Sequence, residues 1–329
     1  MGQSFFDTLG TRERQLAQDR TEALTAMLLR WAQRYPTIRT AWIPSVALLT
    51  STIAPQISPI DTLVSAKLVF WIFGVDDMVD ESTISPQELQ KRAAVWHWIA
   101  SDDGVRGTDQ GDGLGCMLME IKSELFMYPL FEFLHGRWAD ELTRFMDRKV
   151  QECRMARIFA VNGASALPSV EEYVGWGLHG VGVPLWSWAV WAVVGDPSVK
   201  EYLAPIVKAT EHAAAAVRLY NDLRTYQGEL DKENVNSVLI ACRAMLGEDP
   251  GQPVGRVVTE AKQRVMQLAV SHSHRCRDIL RDVHTNSGAP ERVLLRTVAF
   301  SHYFYAHGGH DYHLVSTRDV NQLLGQRVS

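Results

Sequence analysis

Apolar positions recur every three to four residues through most of this chain, the period of a helix with a buried face. Residues 12–35 open the series with Ala, Leu, Arg and Gln, all strong helix formers. Pro36, Pro44, Pro55 and Pro59 then punctuate a loop and short helices. Ser58-Pro59-Ile60-Asp61 reads as a helix start, with the helix running through Asp80. Ser85-Pro86 starts another, to Ile99, and the glycine-rich stretch 101–115 reads as a flexible loop. Helices are predicted at 117–133, 136–159, 205–230, 254–283 and 290–305, with a further start at Pro168-Ser169. Gly175, Gly177, Gly180, Gly182 and Pro184 crowd the stretch after that start and predict a helix break. Strand alternation is scarce and no repeat or linker is visible. The expected fold is therefore all-α, a single-domain antiparallel helical bundle over residues 1–329.

Composition narrows the function without choosing it. The chain has 46% hydrophobic and 22% charged residues and a net charge of -5, so no basic patch suggests nucleic acid. Cys116, Cys153, Cys242 and Cys276 are widely spaced and form no CxxC pair, so neither a zinc site nor a disulfide framework is suggested. The N-terminus is polar from the start and no apolar run reaches membrane-spanning length. A cytoplasmic protein with no membrane partner is the expectation.

Two carboxylate-bearing segments carry the candidate chemistry. The first is Asp76-Asp77-Met78-Val79-Asp80, at the end of a predicted helix. Asp76 and Asp80 are four residues apart and share a helix face, where they repel each other unless a cation intervenes. Hard oxygen ligands suit Mg²⁺. A solvated acidic helix end is the competing reading. The second is Asn221-Asp222-Leu223-Arg224-Thr225-Tyr226-Gln227-Gly228-Glu229. Asn221, Thr225 and Glu229 recur every four residues, so an amide, a hydroxyl and a carboxylate share one face. Arg218, three residues upstream of Asn221, could reach the same site. Here the competing reading is a polar helix surface.

Asp76-Asp77-x-x-Asp80 resembles the aspartate-rich motif of class I terpene synthases. Asn221-Asp222-x-x-Thr225-x-x-x-Glu229 resembles their second metal motif, and their order and separation fit that family. The resemblance spans essentially the whole chain. It implies three Mg²⁺ ions held by two facing helices, with Asp76, Asp77 and Asp80 on one and Asn221, Thr225 and Glu229 on the other. It implies an isoprenoid diphosphate substrate and an aromatic-lined cavity that shelters a carbocation from water. Arg218, Lys232 and Tyr312 are the candidate diphosphate contacts. Phe70, Phe73, Gly177, Gly180, Trp186, Tyr303 and Tyr305 are the candidate pocket residues, with core packing as the competing role for each aromatic. The glycines at 175–182 would face the cavity as a helix break. The histidines around Gly308 and Gly309 suggest a mobile lid more than a metal site.

The chain also departs from the family pattern. Four residues after Tyr173, where a diphosphate-sensing arginine is expected, stands Gly177. Before Tyr312, where an arginine is expected, stands Asp311. These segments, with Arg218-Leu219-x-Asn221-Asp222, are similar to small bacterial ent-kaurene synthases. That resemblance implies a diterpene synthase acting on a bicyclic diphosphate or on geranylgeranyl diphosphate. The class II Asp-x-Asp-Asp element is absent from the sequence, so a separate class II cyclase would supply any bicyclic substrate. A sesquiterpene synthase, a prenyl-chain-elongating transferase and a non-catalytic isoprenoid-binding protein stay open as alternatives. So does assembly as a homodimer, which is usual in the family.

Overall fold

A computed structural model describes residues 5, 9–36, 38–80, 84–101, 112–162, 167–231, 234–248 and 253–306. Among them every regular element is helical: α1 (Thr11–Ala32), α2 (Ile43–Ile53), α3 (Pro59–Asp80), α4 (Pro86–Ser101), α5 (Gly113–Leu125), α6 (Pro129–Asn162), α7 (Val170–Gly180), α8 (Val183–Val194), α9 (Leu203–Asp231), α10 (Ser237–Glu248), α11 (Val254–Leu280) and α12 (Ala289–Ala306).

Local chemistry sets most of these starts. Ser58 accepts a hydrogen bond from the Asp61 backbone N–H at 3.2 Å, and Pro59 supplies a first helical residue that needs no donor. Ser169 and Glu172 form a reciprocal capping box at α7. Asp112 caps α5 by accepting from the Gly115 N–H at 3.0 Å, so Gly113–Gly115, expected as loop, is helical. The break expected at 134–135 lies instead at Phe126-Met127-Tyr128. Pro129 fixes the start of α6, and Gly136 is simply tolerated inside it. The short helix α10 has no counterpart in the sequence reading, where its twelve residues are too few to show a firm period.

Packing follows the stripes. Ala17, Thr21, Leu24, Leu28 and Trp31 of α1 are buried at alternating four- and three-residue spacing, facing α2 and α3. The centre is α9, surrounded by α7, α8, α10, α11 and α12. Ala213, Ala214, Ala215 and Ala216 are buried there, and side chains this small let the neighbours approach closely. The stretch 170–194 is long and apolar enough to cross a membrane, but it is two helices. Gly182, at φ 73°, breaks it in a left-handed conformation that side chains rarely adopt. A Cβ there would also meet Ile72 Cδ1 at 2.8 Å.

Candidate active site

The end of α3, the middle of α6, the end of α7 and the second half of α9 converge on one polar mouth. Asp76 and Asp77 line it from α3, Lys149 and Glu152 from α6, and Arg218, Asn221 and Glu229 from α9. An apolar cavity lined by Val69, Ile72, Trp186, Val217 and Phe304 adjoins the mouth, and the two share Phe73, Val181 and Tyr305. The helix break between α7 and α8 thus faces the cavity, as Val181, Gly182 and Val183 form part of its wall.

The first two aspartates of the first motif are held by cations of the protein. Lys149 Nζ lies 2.7 Å from Asp76 Oδ1, and Arg39 Nε lies 3.0 Å from Asp77 Oδ2. Asp80 closes α3; its side chain, Lys232 and Tyr312 lie outside the described residues, as does the histidine-rich segment proposed as a lid.

The second motif is ordered by its own hydrogen bonds. Thr225 Oγ1 donates to the Asn221 backbone oxygen at 3.1 Å and lies 3.2 Å from Asn221 Oδ1. The Asn221 amide nitrogen donates to Tyr305 OH at 3.4 Å. Glu229 accepts from Asn236 Nδ2. Burial, followed by the nearby Asp222, raises the Glu229 carboxyl to about 7, and the Asn236 contact only partly offsets this. A half-buried carboxylate beside an amide and a hydroxyl oxygen is a donor set that suits a hard divalent cation. Asp222 turns the other way: its carboxylate accepts from the Ser237 N–H at 3.0 Å and is 1% exposed. It anchors the start of α10 to α9.

Arg218 is fixed on several sides. Its Nε donates to Tyr173 OH at 2.8 Å and its Nη1 to Glu152 Oε1 at 3.0 Å, and Nε lies 3.2 Å from Asp222 Oδ1. Burial opposes the charge on Glu152, but Lys149 and Arg218 override it and hold the carboxyl at about 2. Burial likewise opposes the charge on Lys149, yet Asp76 and Glu152 push its amine above its usual range.

Several expected pocket residues take other places. Phe70 sits in the core between Trp31 and Phe73, with ring centroids 6.0 and 6.5 Å away, because its position on α3 is turned from the cavity. Tyr303 packs half-buried against the core. Gly177 lies under Arg218 rather than on the cavity wall. Gly180 does line the mouth, where a Cβ would meet Arg148 Cγ and Glu152 Oε1 at 2.8 Å. Lys149, Glu152, Arg39 and Asn236 escaped the sequence reading. Lys149 and Glu152 are three apart on α6 and one charged face of a long helix looks like any other, so no spacing marks them.

The profile of terpene synthase family 2, C-terminal metal binding, matches residues 67–267. No curated protein sequence matches the chain. Among solved structures, germacradien-4-ol synthase from Streptomyces citricolor superposes with a TM-score of 0.65 at 15% identity, covering 88% of this chain and 94% of that one. Linalool/nerolidol synthase from Streptomyces clavuligerus, in complex with 2-fluorogeranyl diphosphate, gives a TM-score of 0.64 at 15% identity, covering 89% and 95%. The SVS_A2 protein from ancestral sequence reconstruction gives 0.66 at 16% identity, covering 88% and 85%. At such identities the likeness is one of fold.

Proposed function

Since the chain belongs to the terpene synthase family, with its metal-binding profile matched across residues 67–267, we propose that it is a class I diterpene synthase. In this reading it ionises a bicyclic labdane-type diphosphate or geranylgeranyl diphosphate, then directs cyclisation or rearrangement of the cation to deprotonation or water capture. The observation that carries the reading is the union of a charged mouth with an apolar cavity through Phe73, Val181 and Tyr305. One end suits a diphosphate and the other an isoprenoid chain.

Asp76, Asp77 and Asp80 on α3, and Asn221, Thr225 and Glu229 on α9, are the residues that would hold Mg²⁺, in the three sites the resemblance implies. Bound Mg²⁺ supplies charge neutralisation for the departing diphosphate. Arg218, positioned by Tyr173 and Glu152, offers a guanidinium at the same mouth. The apolar wall around Trp186 and Val217 excludes water from the cation left behind. Phe73, Trp186 and Tyr305 line the cavity, and aromatic rings attract positive charge through their π faces.

The diterpene assignment rests on the departures at Gly177 and Asp311 and on the Arg218-to-Leu223 segment. A sesquiterpene synthase acting on farnesyl diphosphate is the alternative. Germacradien-4-ol synthase and linalool/nerolidol synthase, which share the fold, fit that alternative. Incubating purified protein and Mg²⁺ with farnesyl, geranylgeranyl and ent-copalyl diphosphates, with products read by mass spectrometry, separates the two. A C20 product is expected; a product from farnesyl diphosphate alone overturns the diterpene assignment.

A further inference from the structure

An unbroken line of alternating charges joins the two metal motifs. Lys149 Nζ is 2.7 Å from Asp76 Oδ1 and 2.8 Å from Glu152 Oε2. Glu152 Oε1 accepts from Arg218 Nη1 at 3.0 Å, and Arg218 Nε is 3.2 Å from Asp222 Oδ1. Asp76 belongs to the first motif and Asp222 to the second. Two of its three inner members, Lys149 and Glu152, stand on α6, which carries no metal motif. Their side chains are only 7% and 16% exposed, and both line the mouth.

A buried ion pair is a poor way to stabilise a fold, because well-packed apolar residues often serve as well or better. Its placement here serves the ligand instead. A buried charge left unpaired is costly, so a site built to take cations and an anion must be kept neutral while it holds neither. We propose that Lys149 and Glu152 are internal stand-ins for the ligands of this site, an inference that rests on the function proposed above. Lys149 neutralises Asp76 until a divalent cation displaces it. Glu152 holds Lys149 and Arg218 until a diphosphate draws them off. Each ligand therefore releases the group that the other needs. A cation at Asp76 frees Lys149 toward the diphosphate, and a diphosphate that takes Lys149 bares Asp76 for the cation. Metal alone then binds weakly, diphosphate alone binds weakly, and the two bind together. By linkage each strengthens the other by the same factor.

The proposal fixes opposite signs for two substitutions, which a merely structural role does not. Binding of Mn²⁺ alone is followed by electron paramagnetic resonance, and binding of inorganic pyrophosphate, with and without Mn²⁺, by calorimetry. Lys149→Met is expected to bind Mn²⁺ alone about tenfold more tightly, which corresponds to about 1.4 kcal/mol of relieved repulsion. The same variant should bind pyrophosphate with Mn²⁺ about tenfold more weakly. Glu152→Gln is expected to bind pyrophosphate alone about tenfold more tightly, since two cations lose their internal anion. Lys149→Arg, which keeps the charge, should stay near wild type and controls for loss of folding. If Lys149→Met and Glu152→Gln bind every probe as weakly as wild type or more weakly, the stand-in role is overturned while the proposed function survives. If wild type takes up no pyrophosphate even with Mn²⁺, the functional reading falls, and this inference with it.

Discussion

Arg218 of α9 lies against the bare backbone of Gly177 on α7, so that a Cβ added at 177 would sit 3.6 Å from Arg218 Cγ. Where the family resemblance leads one to expect an arginine on α7, the helix offers no side chain. A guanidinium reaches the neighbouring space from the helix of the second metal motif instead. Tyr173, the residue that would set the register of the missing arginine, is the one that accepts from Arg218 Nε at 2.8 Å.

Gly177 and Gly180, two of the three glycines of α7, should respond differently to the same change. At Gly177 the added methyl makes ordinary contact, and alanine favours a helix over glycine by about 1 kcal/mol. Gly177→Ala is expected to keep or slightly raise the thermal midpoint. At Gly180 the methyl would meet Arg148 Cγ and Glu152 Oε1 at 2.8 Å. Gly180→Ala should lower the midpoint, with an overpacking cost of about 1–3 kcal/mol, and should disturb pyrophosphate binding. Equal behaviour of the two variants in differential scanning fluorimetry contradicts this geometry.

Arg218 carries two loads, and its variants should separate them. Arg218→Met removes the guanidinium and leaves Glu152 and Asp222 without their shared partner. Loss of one partner from a buried pair costs about 3–5 kcal/mol, and kcat should fall about 10²–10³-fold, as for loss of a preorganised donor. Arg218→Lys keeps a charge but cannot bridge Tyr173, Glu152 and Asp222 together. It should recover more stability than kcat. Full activity in Arg218→Lys would show that the fork geometry is dispensable.

A half-buried histidine pair sets an acid limit on stability away from the active site. His212 Nδ1 and His272 Nδ1 are 3.0 Å apart, so one ring must accept while the other donates. Burial first, then His212 and Arg275, lowers His272 to about 4, and burial and Arg275 also lower His212. Unfolded histidine titrates near ~6.5. Between that value and about 4 the unfolded chain binds more protons than the folded one. Stability from this pair is therefore complete above about pH 6.5 and is lost as pH falls toward 4. Urea midpoints at pH 7.5, 6 and 5 should fall more steeply in wild type than in His272→Gln; parallel slopes contradict the assignment.

Phe73 stands where the charged mouth meets the apolar cavity, and its ring packs edge-on against Trp42 with centroids 4.8 Å apart. Phe73→Ala opens that junction without touching a metal-motif oxygen. Diphosphate release should persist within about tenfold, while products shift toward alcohols as water gains access. An unchanged product profile would place the boundary elsewhere.

The parts of this molecule visible in its sequence are those written in local spacing. Asn221, Thr225 and Glu229 follow the pitch of one helix, and the structure brings Asp76 and Asp77 of the first motif and Asn221 and Glu229 of the second to one mouth. The helix break was legible because only glycine readily takes the backbone of residue 182. Lys149 and Glu152 were not legible, because their importance arises from α3 and α9 packing on either side of α6. Phe70 and Tyr303 lie outside the lining of the apolar cavity, since an aromatic's direction depends on the phase of its helix against neighbours far away in sequence. The start of α6 lies at Pro129 and not at Gly136, because only proline fixes a backbone angle there.

In the proposed reaction the two motifs act together to release diphosphate with a divalent cation. Pyrophosphate release from the preferred isoprenoid diphosphate, measured for wild type and Asn221→Ala with Mg²⁺ and with a chelator, tests it most directly. The account predicts turnover only for wild type with Mg²⁺, and a loss of at least ~10²-fold in Asn221→Ala. Undiminished release by Asn221→Ala, or by wild type in the chelator, would contradict it.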